Sequence, residues 1–170
     1  MLNFQRVENT GAVHCCTSSK VFSPTLAKLL FLEKQVEYVF HGSPFQLAKL
    51  EPKQAFDYRS GSQIKDGAPA VFASTLLPYA IFKALINPVN CRTCFFLSSC
   101  TYKNGELHFA ASQDTLTHLN SMTRGYVHIL NRSHFYQRGD NEWLRHGSVK
   151  PAAIFEVRLS DFHGDIEVLA

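Results

Sequence analysis

The residues best suited to chemistry are His41, Gly42 and Ser43. An imidazole and a hydroxyl two positions apart can both hydrogen-bond a polar ligand such as a ribose. The glycine between them lets a ligand approach the backbone closely. The preceding run, Val36 to Phe40, alternates in the manner of a strand, which would hold the pair rigidly. The plainer reading is a strand end where Gly42 makes the turn and His41 is an ordinary satisfied polar residue.

Other constellations are less sharp. Cys91 and Cys94 form a Cys-x-x-Cys pair, with Cys100 downstream and His14, Cys15 and Cys16 far upstream. A tetrahedral zinc site needs four N/S ligands, often from two spaced pairs. Only one spaced pair exists and the other cysteines are adjacent, so no metal ligand is assigned and the pattern reads as small buried hydrophobes. Nothing pairs a particular cysteine with a particular histidine as nucleophile and base. Arg132, His134, Arg138, Arg145 and His146 cluster near His128, Phe135, Tyr136 and Trp143. Such a cluster could bind phosphate or RNA by charge and stacking, or be a solvated face over a core tryptophan.

These residues need elements to position them. Ser23-Pro24 followed by Leu26, Leu29 and Leu30 predicts a capped helix over 23–34. A strand over 36–40 stops at Gly42-Ser43-Pro44. Residues 53–69, rich in Asp, Ser, Gly, Gln and Lys, read as a long polar loop able to cover a substrate. Arg59 within it could reach a phosphate of a bound dinucleotide. A short strand over 70–74 leads to a helix from Leu77 to Ile86, with Pro78 at its start and Asn87-Pro88 at its stop. Lys103-Asn104-Gly105-Glu106 signals a hairpin. That hairpin would join strands Phe95–Thr101 and Glu106–Ala111, residues 94–98 being an apolar run, and residues 126–130, 153–159 and 166–169 read as further strands. Helices thus gather toward the N-terminal half and strands toward the C-terminal part, the α+β pattern.

The bulk numbers fit a polar segment over 1–22 and a single domain over 23–170. The chain has 170 residues, 45% hydrophobic and 18% charged, enough apolar material for a core. A net charge of +3 is too small to imply nucleic acid by electrostatics alone. No apolar run approaches the roughly 20 residues that cross a bilayer, and no signal peptide is visible. Five cysteines, an odd number, fit reduced thiols in a cytoplasmic setting. The oligomeric state is not readable.

The order of the parts carries a resemblance. Tyr38-Val39-Phe40-His41-Gly42-Ser43 is followed by Asp66-Gly67-Ala68-Pro69-Ala70-Val71-Phe72-Ala73-Ser74, then a helix containing Tyr79-Ala80-Ile81-Phe82-Lys83-Ala84-Leu85, then Gly125 to Leu130 and Glu156-Val157-Arg158. Roughly over residues 36–160, this resembles the ADP-ribosyltransferase-like fold, above all the compact rifampin ADP-ribosyltransferase type. The resemblance implies two small antiparallel or mixed β-sheets that form a cleft for NAD, the substrate. It would place His41 on the ribose, Gly42 and Ser43 along the nicotinamide pocket, and Phe72 or Tyr79 in the stacking position. Phe72 stands where the family has tyrosine. The third, usually acidic, position falls among Gln137, Asp140 and Glu142; a carboxylate there would stabilise an oxocarbenium-like ribose or activate an acceptor, whereas Gln137 could only bind. The resemblance implies transfer of ADP-ribose to a protein, nucleic acid or small molecule. A catalytically silent binding domain and an RNA 2′-phosphotransferase are the alternatives on the same scaffold.

Overall fold

The computed structural model describes residues 22–59 and 62–169, without the side chains of residues 57–59. Helix α1 spans Pro24–Glu33, and its start is built as the sequence predicts: the Ser23 hydroxyl oxygen accepts the Leu26 N–H at 3.0 Å. That hydroxyl also donates to the buried Asp161 carboxylate at 2.5 Å, and Asp161 accepts the Arg158 N–H at 2.8 Å. One serine therefore joins the first helix to the C-terminal end of the chain. Replacing Ser23 by alanine removes the cap and one partner of a buried carboxylate. The expected loss is about 1–2 kcal/mol, read as a lower urea midpoint.

Among the described residues eleven strands follow the element order of an α+β protein. Six of them, β1 (Tyr38–Ser43), β4 (Val71–Ser74), β7 (Arg124–Asn131), β8 (Tyr136–Gln137), β9 (Glu142–Arg145) and β10 (Ala153–Arg158), make one antiparallel sheet in the order β10-β7-β1-β4-β9-β8. A second sheet has the order β11-β6-β5, from β5 (Ser98–Lys103), β6 (Glu106–Ser112) and β11 (Ile166–Leu169); β11 runs parallel to β6. The hairpin between β5 and β6 turns on Asn104 and Gly105, both at positive φ (54° and 87°), as the Asn-Gly signal predicts. Helix α3 (Gln113–Thr117) is a short connector after β6.

Strand β1 continues through Gly42 and Ser43, where the turn was expected, so His41-Gly42-Ser43 lies within a central strand, paired throughout with β7. The polar stretch 53–69 also departs from the expected loop: β2 (Phe56–Arg59) and β3 (Ser62–Lys65) pair as a ribbon. The first hairpin strand, expected over 95–101, begins at Ser98 instead, and Phe95 and Leu97 before it are 80% and 51% exposed.

Alternation along β1 divides the core. Phe40 joins Val127, Ile129 and Val157 under α1 and helix α2 (Leu77–Leu85) on one face of the large sheet. Val39 joins Leu50, Val71, Leu130, Trp143 and Val149 on the other. Helix α2 lies unusually close to the sheet. A Cβ placed on Gly42 would stand 1.9 Å from the Ala80 carbonyl oxygen, and one on Gly125 would stand 2.2 Å from that of Ala84. Both ends of α2 are capped from outside it. The Glu33 carboxylate accepts the Leu77 N–H at 2.7 Å, and Asn87 and Asn90 donate to the Ala84 and Leu85 carbonyls at 2.9 Å. The smaller sheet docks on α2 through Phe82, Phe109 and Phe162, with ring centroids 4.9–5.9 Å apart. Among the described residues no helix is long and apolar enough to cross a membrane.

Candidate functional site

Where the two sheets face each other they leave a cleft of about 400 Å³. From the large sheet come Phe72 and Ser74 on β4 and Glu142 on β9, which share a face because Ser74 pairs with Glu142. From α2 comes Tyr79; from the smaller sheet come Cys100, Tyr102 and Leu107; from the β8–β9 turn come Asp140 and Asn141. The volume lies in the range of about 300–1,000 Å³ typical of small-molecule sites. Four of the residues singled out by sequence, Phe72, Tyr79, Asp140 and Glu142, thus line one cavity.

The cleft is aromatic with an acidic rim. Burial, the Cys100 sulfur and Glu142 push the Tyr79 phenol up to about 12, so it stays a neutral donor. The Lys83 ammonium lies 5.6 Å from the Tyr79 ring centroid, and burial draws its proton affinity down. Burial pushes the Cys100 thiol up to about 11, which leaves it protonated and a poor nucleophile at neutral pH. Glu142 keeps about 40% of its side chain in solvent and accepts a charge-assisted bond from Arg138 Nε at 2.5 Å. The Arg138 guanidinium lies over the Phe72 ring, 5.4 Å from its centroid, and pairs with Asp66 through both terminal nitrogens at 2.9 Å.

The His-Gly-Ser residues lie elsewhere. Val39, His41 and Ser43 point to the face of the sheet away from α2. Gly42 points toward α2, whose backbone, and not a ligand, takes up the space beside it. Ser43 is buried and its hydroxyl oxygen accepts the Phe45 N–H at 3.1 Å, fixing the turn after β1. His41 Nδ1 donates to the Phe72 carbonyl at 2.6 Å, so its Nε2 carries the lone pair. Beside it is a separate cavity of about 160 Å³, lined by His41, Ser43, Leu47, Leu50, Lys53 and Val71 among others. That is room for a fragment, not for a dinucleotide. The sheet separates this cavity from the cleft.

His128, read by sequence as part of a basic cluster, is fully buried and paired across from His41. Its Nε2 accepts the Leu47 N–H at 3.0 Å and its Nδ1 donates to the His41 carbonyl at 3.3 Å. Burial and the neighbouring His41 ring hold it down at about 4. His41 is lowered too, chiefly by burial. The pair is neutral at physiological pH. The remaining cations of the cluster serve separate local contacts. Arg132 covers the Trp143 ring at 4.2 Å and donates to the Val36 carbonyl, and Arg145 donates to the Ser148 and His134 carbonyls.

Gln137 points away from the cleft's chemistry: its amide donates to the Gly139 and Asp140 carbonyls and shapes the β8–β9 turn. The side chain of Arg59, and His14, Cys15 and Cys16, lie outside the described residues. Among the described residues no three His, Cys, Asp or Glu side chains gather as a metal site. Sequence reasoning missed Asp66, Ser74, Tyr102 and Asn141. The charged run Arg138-Gly139-Asp140-Asn141-Glu142, with Tyr136 before it and Trp143 after, carried a hairpin signal that would have brought Arg138 and Glu142 together.

An α+β protein with an aromatic, acid-rimmed cleft between two sheets is the class that fold and site define. No protein-family model, curated protein or solved structure matches the chain.

Proposed function

We propose that this chain is an ADP-ribosyltransferase-like domain that binds NAD with the nicotinamide riboside half in the cleft and transfers ADP-ribose to an acceptor. One observation carries the reading: Phe72, Tyr79, Asp140 and Glu142, up to seventy positions apart, line a single cavity between two sheets. An aromatic wall accommodates a pyridinium ring by stacking and cation–π attraction. A partly solvated carboxylate at the rim favours positive charge developing on the ribose as the bond to nicotinamide breaks. Glu142 is the better placed acid, because a strand holds it, while Asp140 sits on the exposed turn. His41 contributes to this reading from the far face of the sheet, by fixing the Phe72 carbonyl and hence the strand that carries the aromatic ring.

The test is nicotinamide release from NAD, with a thermal-shift titration in parallel. The wild type is expected to be stabilised by NAD and to release nicotinamide. Glu142→Gln is expected to keep the shift and lose about 10²–10³-fold in rate. Phe72→Ala is expected to lose the shift. A wild type that NAD does not stabilise ends the proposal.

A silent binding domain is favoured by one specific feature: the ion pair of Glu142 with Arg138 at 2.5 Å engages the carboxylate that catalysis would need. Stabilisation by NAD with no nicotinamide released, even with excess acceptor, selects that reading.

A further inference from the structure

Arg138 is held in a manner that a surface ion pair does not require. All three of its nitrogens are used on carboxylates, and its plane lies over Phe72 at the cleft rim. The two parallel bonds to Asp66, both 2.9 Å, form the fork geometry that guanidinium offers equally to a carboxylate and to a phosphate. Asp66 arrives from outside the sheet system. It follows directly on β3, and its N–H donates to the Ala55 carbonyl at 2.9 Å, so it belongs to the β2–β3 ribbon. Arg138 instead belongs to the β8–β9 turn, whose Asp140, Asn141 and Glu142 line the cleft.

A carboxylate and a phosphodiester each bring one negative charge and two in-plane oxygens to such a fork. Exchanging one for the other leaves the guanidinium fork paired with a single negative charge. It also leaves Arg138 Nε on Glu142, so the anion on the fork and the carboxylate in the cleft stay linked through one guanidinium.

We infer that Arg138 is a phosphate-binding residue whose fork the Asp66 carboxylate occupies as a placeholder, to be displaced by the diphosphate bridge of a dinucleotide. This assignment rests on the reading that the nicotinamide end of that ligand lies in the cleft. The placeholder scales apparent affinity down to the fraction of molecules in which the fork is free, and its removal raises affinity by the inverse of that fraction.

Isothermal titration with two probes separates the assignment from the reading beneath it. ADP-ribose has the diphosphate bridge and no nicotinamide; nicotinamide riboside has the reverse. Asp66→Asn is expected to bind ADP-ribose about tenfold more tightly than the wild type and nicotinamide riboside equally well. Arg138→Gln is expected to weaken ADP-ribose about tenfold or more, and Arg138→Lys to recover only part of that loss, because an ammonium keeps the charge without the fork. Asp66→Asn that leaves ADP-ribose affinity unchanged or lower overturns the assignment, and nicotinamide riboside binding in the same protein shows that the cleft reading survives it. Tighter ADP-ribose binding by Asp66→Asn with no nicotinamide riboside binding upholds the fork and removes nicotinamide from the cleft. Arg138→Gln with wild-type affinity for ADP-ribose also overturns it.

Discussion

Alanine at position 42 is expected to destabilise the protein by about 3 kcal/mol. The new Cβ would sit 1.9 Å from the Ala80 carbonyl oxygen and 2.8 Å from the Ala84 nitrogen. These are backbone atoms of a helix, so no side-chain rotation relieves the clash, and α2 must move as a unit. Gly125→Ala meets Ala84 in the same way and is expected to act similarly. Gly139→Ala, with nothing within 4 Å and no positive φ, is the control and is expected to stay within about 0.5 kcal/mol of the wild type. Urea unfolding of the three variants gives the comparison. A Gly42→Ala protein as stable as the control would mean that α2 does not lie where the structure puts it. The consequence reaches the cleft, because α2 carries Tyr79; under the proposed function, a folded Gly42→Ala protein is expected to be stabilised less by NAD than the wild type.

Stability is expected to fall by about 3 kcal/mol between neutral pH and pH 4 through His128 alone. The folded protein holds this imidazole at about 4 against an ordinary 6.5, because burial and the His41 ring disfavour charge. As pH drops below 6.5 the unfolded chain takes up a proton that the folded one refuses. The stability contributed by neutral His128 is therefore complete above pH 6.5 and is lost progressively down to about pH 4. Geometry gives the same sign: a proton on Nε2 would face the Leu47 N–H that this atom now accepts. His41 is lowered as well and steepens the dependence. In His128→Gln an amide can still accept from Leu47 but does not titrate, so the slope of unfolding free energy between pH 4.5 and 7.5 is expected to flatten. An unchanged slope in that variant would reassign the acid sensitivity to other groups.

Local signals were legible where the physics is local. The Ser23-Pro24 helix start, the Asn104-Gly105 hairpin and the Leu77 helix each follow from short-range capping, turn or φ preferences, and each appears as the sequence implies. The α+β division with helices toward the N-terminal half was legible for the same reason. Strands β2, β3, β8 and β9 were not. They are short, polar or interrupted by turn residues, and their pairing depends on partners rather than on their own pattern.

The site divides along the same line. Residue types marked His41 as chemically able and Gly42 as a place where something comes close, and Phe72, Tyr79, Asp140 and Glu142 were marked only by the resemblance. Only the tertiary structure decided what comes close, which is α2 rather than a ligand. It also decided that His41 and Glu142 stand on opposite faces of one sheet. Side chains on a strand alternate with a period of two, so a single residue of register moves a group from one face to the other. That register is set by hydrogen bonds to strands distant in the chain, which no stretch of sequence contains by itself.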